Sequence, residues 1–321
     1  MKPAEDSLPP TAAPAGRGSL RWELFFGLSR TPHGLLDMAT PAMAALLGLG
    51  HFPPLATVLV GIVTAFSGYT AVYALNDIVD YRVDRQRLAL RQDAKRPFDL
   101  DGLLVPHPLA RRLLSLPKGL LWFCFWAVIA LAGAWWLNPV CVVMFLIVAA
   151  LEALYCKLLK VTWLKIIPTV LVKAAGGVVG IYAVDPSPPP GYVSFLILWL
   201  ASWELGGQNV VNDIADLEDD ARVGAKTLAT VLGVRESVFV AVAAASMAAF
   251  AGVAIYWLSG PGIGPIYPLG AAVIGWKLLL QPARKLYADP CPETAAALFN
   301  RASYVPLAFL VLTTLALVFH P

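Results

Sequence analysis

The chain has 321 residues, of which 58% are hydrophobic and only 14% are charged, and its mean hydropathy is +0.68. Soluble domains are about 45–50% apolar and about 25% charged, so this composition excludes an ordinary soluble protein. It indicates an all-α, polytopic membrane protein. The net charge of +3 is small, and we expect no nucleic-acid partner. The four cysteines show no metal-ligand spacing and are expected to be buried small residues.

The amino-terminal segment, residues 1–20, is rich in Pro, Ala and Gly. It lacks the basic region and apolar core of a signal peptide. We therefore expect a disordered cytosolic tail, followed by one membrane domain over residues 21–321.

Apolar runs long enough to cross a bilayer need about 17–25 residues. Nine approximate runs qualify: 34–50, 55–77, 119–137, 139–157, 163–183, 192–213, 232–258, 264–281 and 302–320. With the amino terminus inside, nearly all Lys and Arg fall in cytosolic segments, apart from Lys173 and Lys277 within predicted spans. This separation supports nine spans in a membrane protein, which we expect in a bacterial plasma membrane with its amino terminus in the cytosol.

The pattern Asn-Asp-x-x-Asp-x-x-x-Asp occurs twice, at 76–84 and at 212–220, where the second and sixth runs end on the cytosolic side. Spacings of three and four residues place side chains on one helix face. The carboxylates expected to share a face are Asp77, Asp80 and Asp84 in the first copy and Asp213, Asp216 and Asp220 in the second. Because like charges repel at this spacing, a cation should lie between the two clusters.

The two acidic motifs and the residues near them have the chemistry of a site for metal ions and a diphosphate. Magnesium takes one or two carboxylates and completes its shell with water and substrate phosphate. Asn76 and Asn212 add neutral oxygen atoms. Basic residues lie close by in sequence: Arg85, Lys95, Arg96, Lys157, Lys160, Arg222 and Lys226. Metals and bases together would neutralise the charge on a departing diphosphate.

Polar residues also continue up the predicted helices above the motifs. Tyr73 lies above the first motif, and Glu204 and Gln208 lie above the second. Polar residues inside a span usually face a cavity, so Glu204 and Lys173 are functional candidates. The alternative is a structural pair, or residues that lie nearer the interface.

Further segments match a known family. They are Asp220-Ala221-Arg222-Val223-Gly224-Ala225-Lys226-Thr227-Leu228-Ala229-Thr230 with Leu232-Gly233, Arg96-Pro97, Leu154-Tyr155 with Lys160 and Thr162, and Arg30-Thr31-Pro32. Together with the paired motifs, they make the chain resemble the UbiA superfamily of intramembrane prenyltransferases. The chain departs from the family in a longer segment over 86–93 and in Leu159, where a basic residue is common.

The resemblance implies nine transmembrane helices around a central cavity that opens to lipid. It implies two Mg²⁺ ions that hold the diphosphate of a polyprenyl donor. The allylic C–O bond then ionises, and an acceptor captures the carbocation. We expect the acceptor to be an aromatic quinone precursor.

The resemblance also assigns roles to residues. The implied metal ligands are Asn76, Asp77, Asp80, Asp84, Asp213, Asp216 and Asp220, of which Asp77, Asp80, Asp213 and Asp216 are the expected catalytic residues. The implied diphosphate ligands are Arg96, Tyr155, Lys160, Arg222 and Lys226. The residues expected around the acceptor are Tyr73, Lys173, Glu204, Gln208, Asn209 and Asn212.

Two other classes remain alternatives. A cation- or proton-coupled transporter would use the carboxylates as ion sites, but near the bilayer midplane and on broken helices. A membrane phosphotransferase would carry one Asp-rich stretch, not two copies separated by three helices. Carboxylates at the cytosolic boundary beside Arg and Lys favour a diphosphate over a free cation.

Overall fold

The computed structural model describes residues 22–90 and 103–319, and these form helices and loops with no strand. The predicted tail at 1–20 and the predicted diphosphate ligand Arg96 lie outside these ranges. The helices before residue 91 are α1 (Trp22–Leu28), α2 (Thr31–Asp37), α3 (Ala39–Leu49) and α4 (Leu55–Leu90). The all-α prediction is therefore confirmed for the described residues.

The second stretch continues in the same way from residue 103. Its helices are α5 (Leu116–Leu137), α6 (Pro139–Leu158), α7 (Ile166–Tyr182), α8 (Pro190–Trp203), α9 (Val210–Ala215), α10 (Leu217–Val223), α11 (Leu228–Leu232), α12 (Val234–Ala254), α13 (Ile266–Ile274), α14 (Gln281–Ala288), α15 (Pro292–Ala302) and α16 (Val305–Val318). Short 3-10 segments at Trp163–Lys165 and Ile255–Leu258 extend α7 and α12. Two π-helical segments, Glu204–Asn209 and Gly275–Leu280, join α8 to α9 and α13 to α14.

Six helical stretches in the described ranges are long and apolar enough to cross a membrane. They are Leu55–Leu90, Leu116–Leu137, Pro139–Leu158, Trp163–Tyr182, Val234–Leu258 and Pro292–Val318. The other three predicted runs are interrupted, the first between α2 and α3 and the sixth and eighth by the π segments. The count of nine spans therefore stays a prediction.

The largest hydrophobic core packs α8 and the π segment that follows it against α12, α15 and α16. Trp199 packs edge-on against Phe309, with ring centroids 4.7 Å apart. Gly206 lies so close to α12 that a Cβ would come 2.1 Å from the Ala245 nitrogen. The Trp203 indole donates a hydrogen bond to the Ala302 carbonyl at 2.9 Å. This packing holds the helix that carries the second motif in one position.

The loop 103–115 is fastened to α1 and α5. A Cβ on Gly27 would come 2.3 Å from the Val105 carbonyl oxygen, so only glycine permits this close approach. Leu109 and Leu114 are buried in a cluster that includes Trp122. The loop is therefore a packed element, and it ends up beside the first motif.

Candidate functional site: an acidic cavity between two motifs

Both acidic motifs open onto one cavity of about 1060 Å³. Its oxygen-bearing side chains from the two motifs are Asn76, Asp80, Asp84, Asn212, Asp213, Asp216, Asp219 and Asp220. Apolar and polar residues from α2, α3, α4, α6 and α7 line the rest of its wall. The structure thus brings together two segments that are separated by more than a hundred residues of sequence.

The first motif lies on the continuous helix α4, but its stripe differs from the one expected. Asn76, Asp80 and Asp84 line the cavity, whereas Asp77 does not. At about 100° per residue, positions four apart drift by only about 40°, and they form the stripe that faces inward. Asp77 precedes Asp84 by seven residues, which is close to two full turns, so the two side chains lie nearly in line along one side of the inward-facing stripe. Asp77 is buried there, with 1% of its surface exposed.

His107 from the packed loop meets both of these carboxylates. Its Nδ1 lies 2.9 Å from Asp77 Oδ1 and 2.9 Å from Asp84 Oδ2. Burial alone would lower the pKa of His107, but the hydrogen bonds with Asp77 and Asp84 raise it to about 9. The residue has a φ of 52°, which a non-glycine residue rarely adopts.

The second motif does not lie on one continuous helix, in contrast to the expectation from its spacing. The helix ends at Ala215, and α10 begins at Leu217, with Asp216 at the break. Lys165 Nζ donates to Asp213 Oδ1 at 3.1 Å, and both side chains are almost fully buried. Lys165 also lies 4.9 Å from the ring centre of Tyr155. The break turns the last part of the motif so that Asp216, Asp219 and Asp220 still line the cavity.

Arg87 connects the two motifs directly. Its Nη2 donates to Asp220 Oδ1 at 2.6 Å, and its Nη1 lies 3.5 Å from Asp84 Oδ1. Burial raises the pKa of Asp220, and the charge of Arg87 opposes that rise. A guanidinium thus lies between the motifs, as the expected repulsion requires.

Several predicted diphosphate ligands lie elsewhere. Lys160 is exposed and donates to Gln86 at 2.6 Å, while the exposed Arg222 pairs with Glu218 and Asp219 of its own helix. Neither Lys160, Arg222 nor the exposed Lys226 lines the cavity, whereas Tyr155 does. Their assignments stay predictions.

Other basic residues line the cavity instead: Arg30, Arg87, His107, Arg111 and Lys165. Arg30 donates to Asn76 Oδ1 at 3.3 Å. For Arg87 a sequence signal existed, because it follows Asp84 by three residues on the same helix. For His107 and Lys165 there was none, because loop and helix packing decide their approach to the motifs.

The inner end of the cavity carries a set of polar groups between apolar helices. Lys173 forms a hydrogen-bonded ion pair with Asp37, and its Nζ also donates to the Tyr73 hydroxyl at 3.1 Å. The Tyr73 hydroxyl in turn donates to Asp37. His33 Nε2 lies 4.0 Å from Asp37 Oδ1. Sequence analysis did not identify Asp37, which lies in the interrupted first run, or His33, which immediately precedes that run.

All six residues expected around the acceptor line this cavity: Tyr73, Lys173, Glu204, Gln208, Asn209 and Asn212. Gln208 is held by Ser303, whose hydroxyl lies 3.3 Å from its Nε2. Asn212 lies nearer the acidic end and donates to Asp216 Oδ2 at 3.4 Å. Their role in binding the acceptor stays a prediction.

The donor set fits magnesium. The cavity wall offers carboxylate and amide oxygens from both motifs, which are the ligands a hard divalent cation prefers. Asp77 Oδ2 is buried with no hydrogen-bond partner among the described residues. The ligand atoms of Asp77, Asp84 and His107 all lie within 4.8 Å of one another, so His107 offsets carboxylate charge beside the expected metal ligands.

Comparison with known proteins agrees with this geometry. The model of the UbiA prenyltransferase family matches residues 38–312. A digeranylgeranylglyceryl phosphate synthase from Thermococcus sibiricus is 26% identical over 271 residues, covering 84% of this chain and 88% of the relative. A solved UbiA homolog from Aeropyrum pernix K1 has a TM-score of 0.63 at 18% identity, covering 93% of this chain and 98% of that one. A homolog from Archaeoglobus fulgidus bound to GPP and Mg²⁺ has a TM-score of 0.66 at 13% identity, covering 92% and 99%.

The fold and the paired acidic motifs define an integral membrane prenyltransferase. The chain belongs to the UbiA prenyltransferase family. The sequence-based recognition of the family and of the enzyme class is therefore confirmed.

Proposed function

We propose that this protein transfers a polyprenyl group from a polyprenyl diphosphate to an acceptor bound in the same cavity, in a magnesium-dependent reaction. The observation that carries the proposal is that both acidic motifs face one cavity whose wall continues into apolar spans. Such a cavity can hold the charged end of a lipid diphosphate at the motifs and its isoprenoid chain among apolar side chains.

Two Mg²⁺ ions would be held by Asn76, Asp80 and Asp84 on one side and by Asp213, Asp216 and Asp220 on the other. When bound, the metal neutralises charge on the diphosphate as it leaves. The protein adds fixed positive charge at Arg87, which lies between the motifs, and at Lys165 beside Asp213. These groups favour the separated diphosphate over the intact donor.

In the reaction, the allylic C–O bond breaks and its electron pair stays with the diphosphate oxygen. The acceptor supplies the electron pair for the new bond and then loses a proton. The rings of Tyr73 and Tyr155 line the cavity and can stabilise the allylic cation through their π faces. The apolar wall keeps water from capturing the cation.

Two acceptor classes have support of different kinds. The resemblance that the sequence carries points to an aromatic quinone precursor. The name of the Thermococcus sibiricus relative points to a glyceryl phosphate lipid. A donor diphosphate is supported by homologs from Archaeoglobus fulgidus, whose structures hold DMAPP or GPP with Mg²⁺. We place the reaction at the cytosolic face of a bacterial plasma membrane, in a nine-span domain over 21–321 with a cytosolic amino terminus.

The test uses the full chain in lipid nanodiscs with geranyl diphosphate and an acceptor panel, with and without Mg²⁺. We expect diphosphate release that needs Mg²⁺, and prenylated product detected by mass spectrometry. Asp80→Ala and Asp216→Ala should abolish both signals, while Ser202→Ala should not. Ser202 is buried on α8 and donates only to its own helix, at Leu198, so it is a matched control. Activity that persists in either Asp variant would contradict the assignment.

A further inference from the structure

Three polar atoms in the inner part of the cavity have no hydrogen-bond partner among the described residues. They are His33 Nδ1, Glu204 Oε2 and Asn209 Oδ1. Their residues are only 6%, 3% and 9% exposed, and all three line the cavity. Because buried polar groups in folded proteins are nearly always hydrogen-bonded, three unpaired atoms on residues that line one cavity indicate a polar ligand.

Glu204 and Asn209 are held in fixed positions. They are the first and last residues of the π segment, a kind of helix that occurs mostly at functional sites. Glu204 Oε1 accepts from the Thr169 hydroxyl at 3.4 Å, which leaves Oε2 for a ligand. Gly207 lies against Ala302, and a Cβ there would come 2.7 Å from that side chain. The segment therefore presents a rigid pair of oxygen atoms.

The hydrogen-bonding sense of these atoms restricts the ligand. The amide oxygen Asn209 Oδ1 accepts hydrogen bonds, and so does Glu204 Oε2 when that side chain is ionised. Their partner must donate, as hydroxyl groups do. Ionised carboxylates and phosphate dianions only accept, so they would leave both oxygens unsatisfied.

The charges point the same way. Two carboxyl side chains, Asp37 and Glu204, face the single ammonium group of Lys173 in this part of the described cavity. That ammonium is already engaged by Asp37 and by the Tyr73 hydroxyl. His33 also lies beside Asp37, with its Nε2 4.0 Å from Asp37 Oδ1. An anionic headgroup would therefore meet two carboxyl side chains and cationic groups that Asp37 already engages, at a cost in desolvation.

The location suits an acceptor and not the diphosphate. Glu204 precedes Asp213 by nine residues, about 13 Å along the helix axis, and Asn209 precedes it by four, about 6 Å. This separation leaves space for the reacting atoms of an acceptor between the polar end and the metal motifs.

We propose that the acceptor is a neutral molecule with at least two hydroxyl groups, which donate to Glu204 and Asn209. The inference rests on the proposed prenyl transfer and names its acceptor class. It favours a neutral diphenol or polyol headgroup over a carboxylated aromatic ring or a phosphorylated lipid headgroup.

The first experiment compares acceptors that differ by one group, using the full chain in nanodiscs with geranyl diphosphate and Mg²⁺. The pairs are 1,4-dihydroxybenzene with 2,5-dihydroxybenzoate, and a monoacylglycerol with its phosphate. We expect kcat/KM to be about tenfold higher for the neutral member of each pair, because the anionic member keeps hydroxyl donors but buries an unpaired charge. Equal or faster transfer to the anionic members of both pairs would overturn the proposal.

The second experiment uses Glu204→Gln and Asn209→Leu, with Ser202→Ala as control. We expect the acceptor KM to rise about tenfold in each variant, with an unchanged donor KM and unchanged diphosphate release in the absence of acceptor. A role in packing alone would raise both KM values and reduce diphosphate release in the absence of acceptor. An unchanged acceptor KM in both variants would overturn the proposal.

Binding is measured separately by titrating 1,4-dihydroxybenzene and its carboxylated partner into the protein without donor. Preferential binding of the neutral compound, lost in Glu204→Gln, would support the acceptor site even if no transfer were detected. Transfer without this preference would leave the enzyme function standing and refute the acceptor class. The two proposals can therefore fail independently.

Discussion

The Arg87 guanidinium lies 2.6 Å from the Asp220 carboxylate, and this contact joins the two acidic motifs across the cavity. Arg87 also lies 3.5 Å from Asp84, so one side chain contacts both acidic clusters. It holds a fixed positive charge where the donor diphosphate would arrive. A planar guanidinium suits this place because it can bind two phosphate oxygens at once.

Arg87→Gln should lower kcat/KM for the donor by about ten- to a hundredfold, since it removes a charge-assisted contact to the leaving group. Arg222→Gln should change it by less than about threefold, because Arg222 is exposed, does not line the cavity and is already paired with Glu218 and Asp219. The measurement is initial-rate kinetics over a range of geranyl diphosphate concentrations. The reverse ranking would show that the donor contacts the outer face of α10.

Magnesium should stabilise the folded protein through the acidic motifs. At about 100 times its Kd, a bound ion adds about 2.7 kcal/mol to the free energy of unfolding. We expect a higher melting temperature with Mg²⁺ than with EDTA, measured by tryptophan fluorescence. Asp216→Asn should reduce this difference, whereas Asp185→Asn in the loop between α7 and α8 should not. An identical magnesium shift in both variants would refute the assigned ligand.

His107 should make the stability of the magnesium-free protein depend on pH. Its folded pKa of about 9 lies above its ordinary value of 6.5, so protonation favours the folded state. The contribution is complete below about pH 6.5 and is lost as pH rises through about 9. In EDTA, His107→Gln should therefore destabilise the protein at pH 6 but not at pH 10. The exposed His51→Gln is the control, and equal losses at both pH values would count against the charge pairing.

Two glycines offer a matched test of helix packing around the cavity. A Cβ on Gly180 in α7 would come 2.2 Å from the Pro41 carbonyl oxygen of α3, whereas one on Gly191 would meet nothing within 4 Å. Gly180→Ala should lower the free energy of unfolding by about 1–3 kcal/mol, because the backbones of α3 and α7 would have to move apart. Gly191→Ala should be nearly neutral. Thermal unfolding in one detergent compares them, and equal melting temperatures would contradict the close contact of α3 and α7.

Helix periodicity predicted much of the site. The spacing placed Asp80 and Asp84 on one face of α4, although it put Asp77 there in place of Asn76, and the apolar runs located most of the helices. The same periodicity could not show that Asp77 turns to His107, because that depends on where the 103–115 loop packs. Periodicity does separate Arg87 from Arg222. Arg87 follows Asp84 by three residues on one helix face, whereas Arg222 follows Asp220 by two, which turns it about 200° away.

The π segment Glu204–Asn209 sets the angular relationship between the two ends of the cavity. A π turn contains about one residue more than an α turn, so α9 leaves this segment rotated relative to α8. A regular α-helix of the same length would instead turn Asp213 by about 100° relative to α8. The motif side chains of α9 would then be rotated relative to Glu204 and the inner end of the cavity, although every residue would still be present. The π turn therefore sets which side chains of α9 point into the cavity, and its length matters to the site as much as the residues it carries.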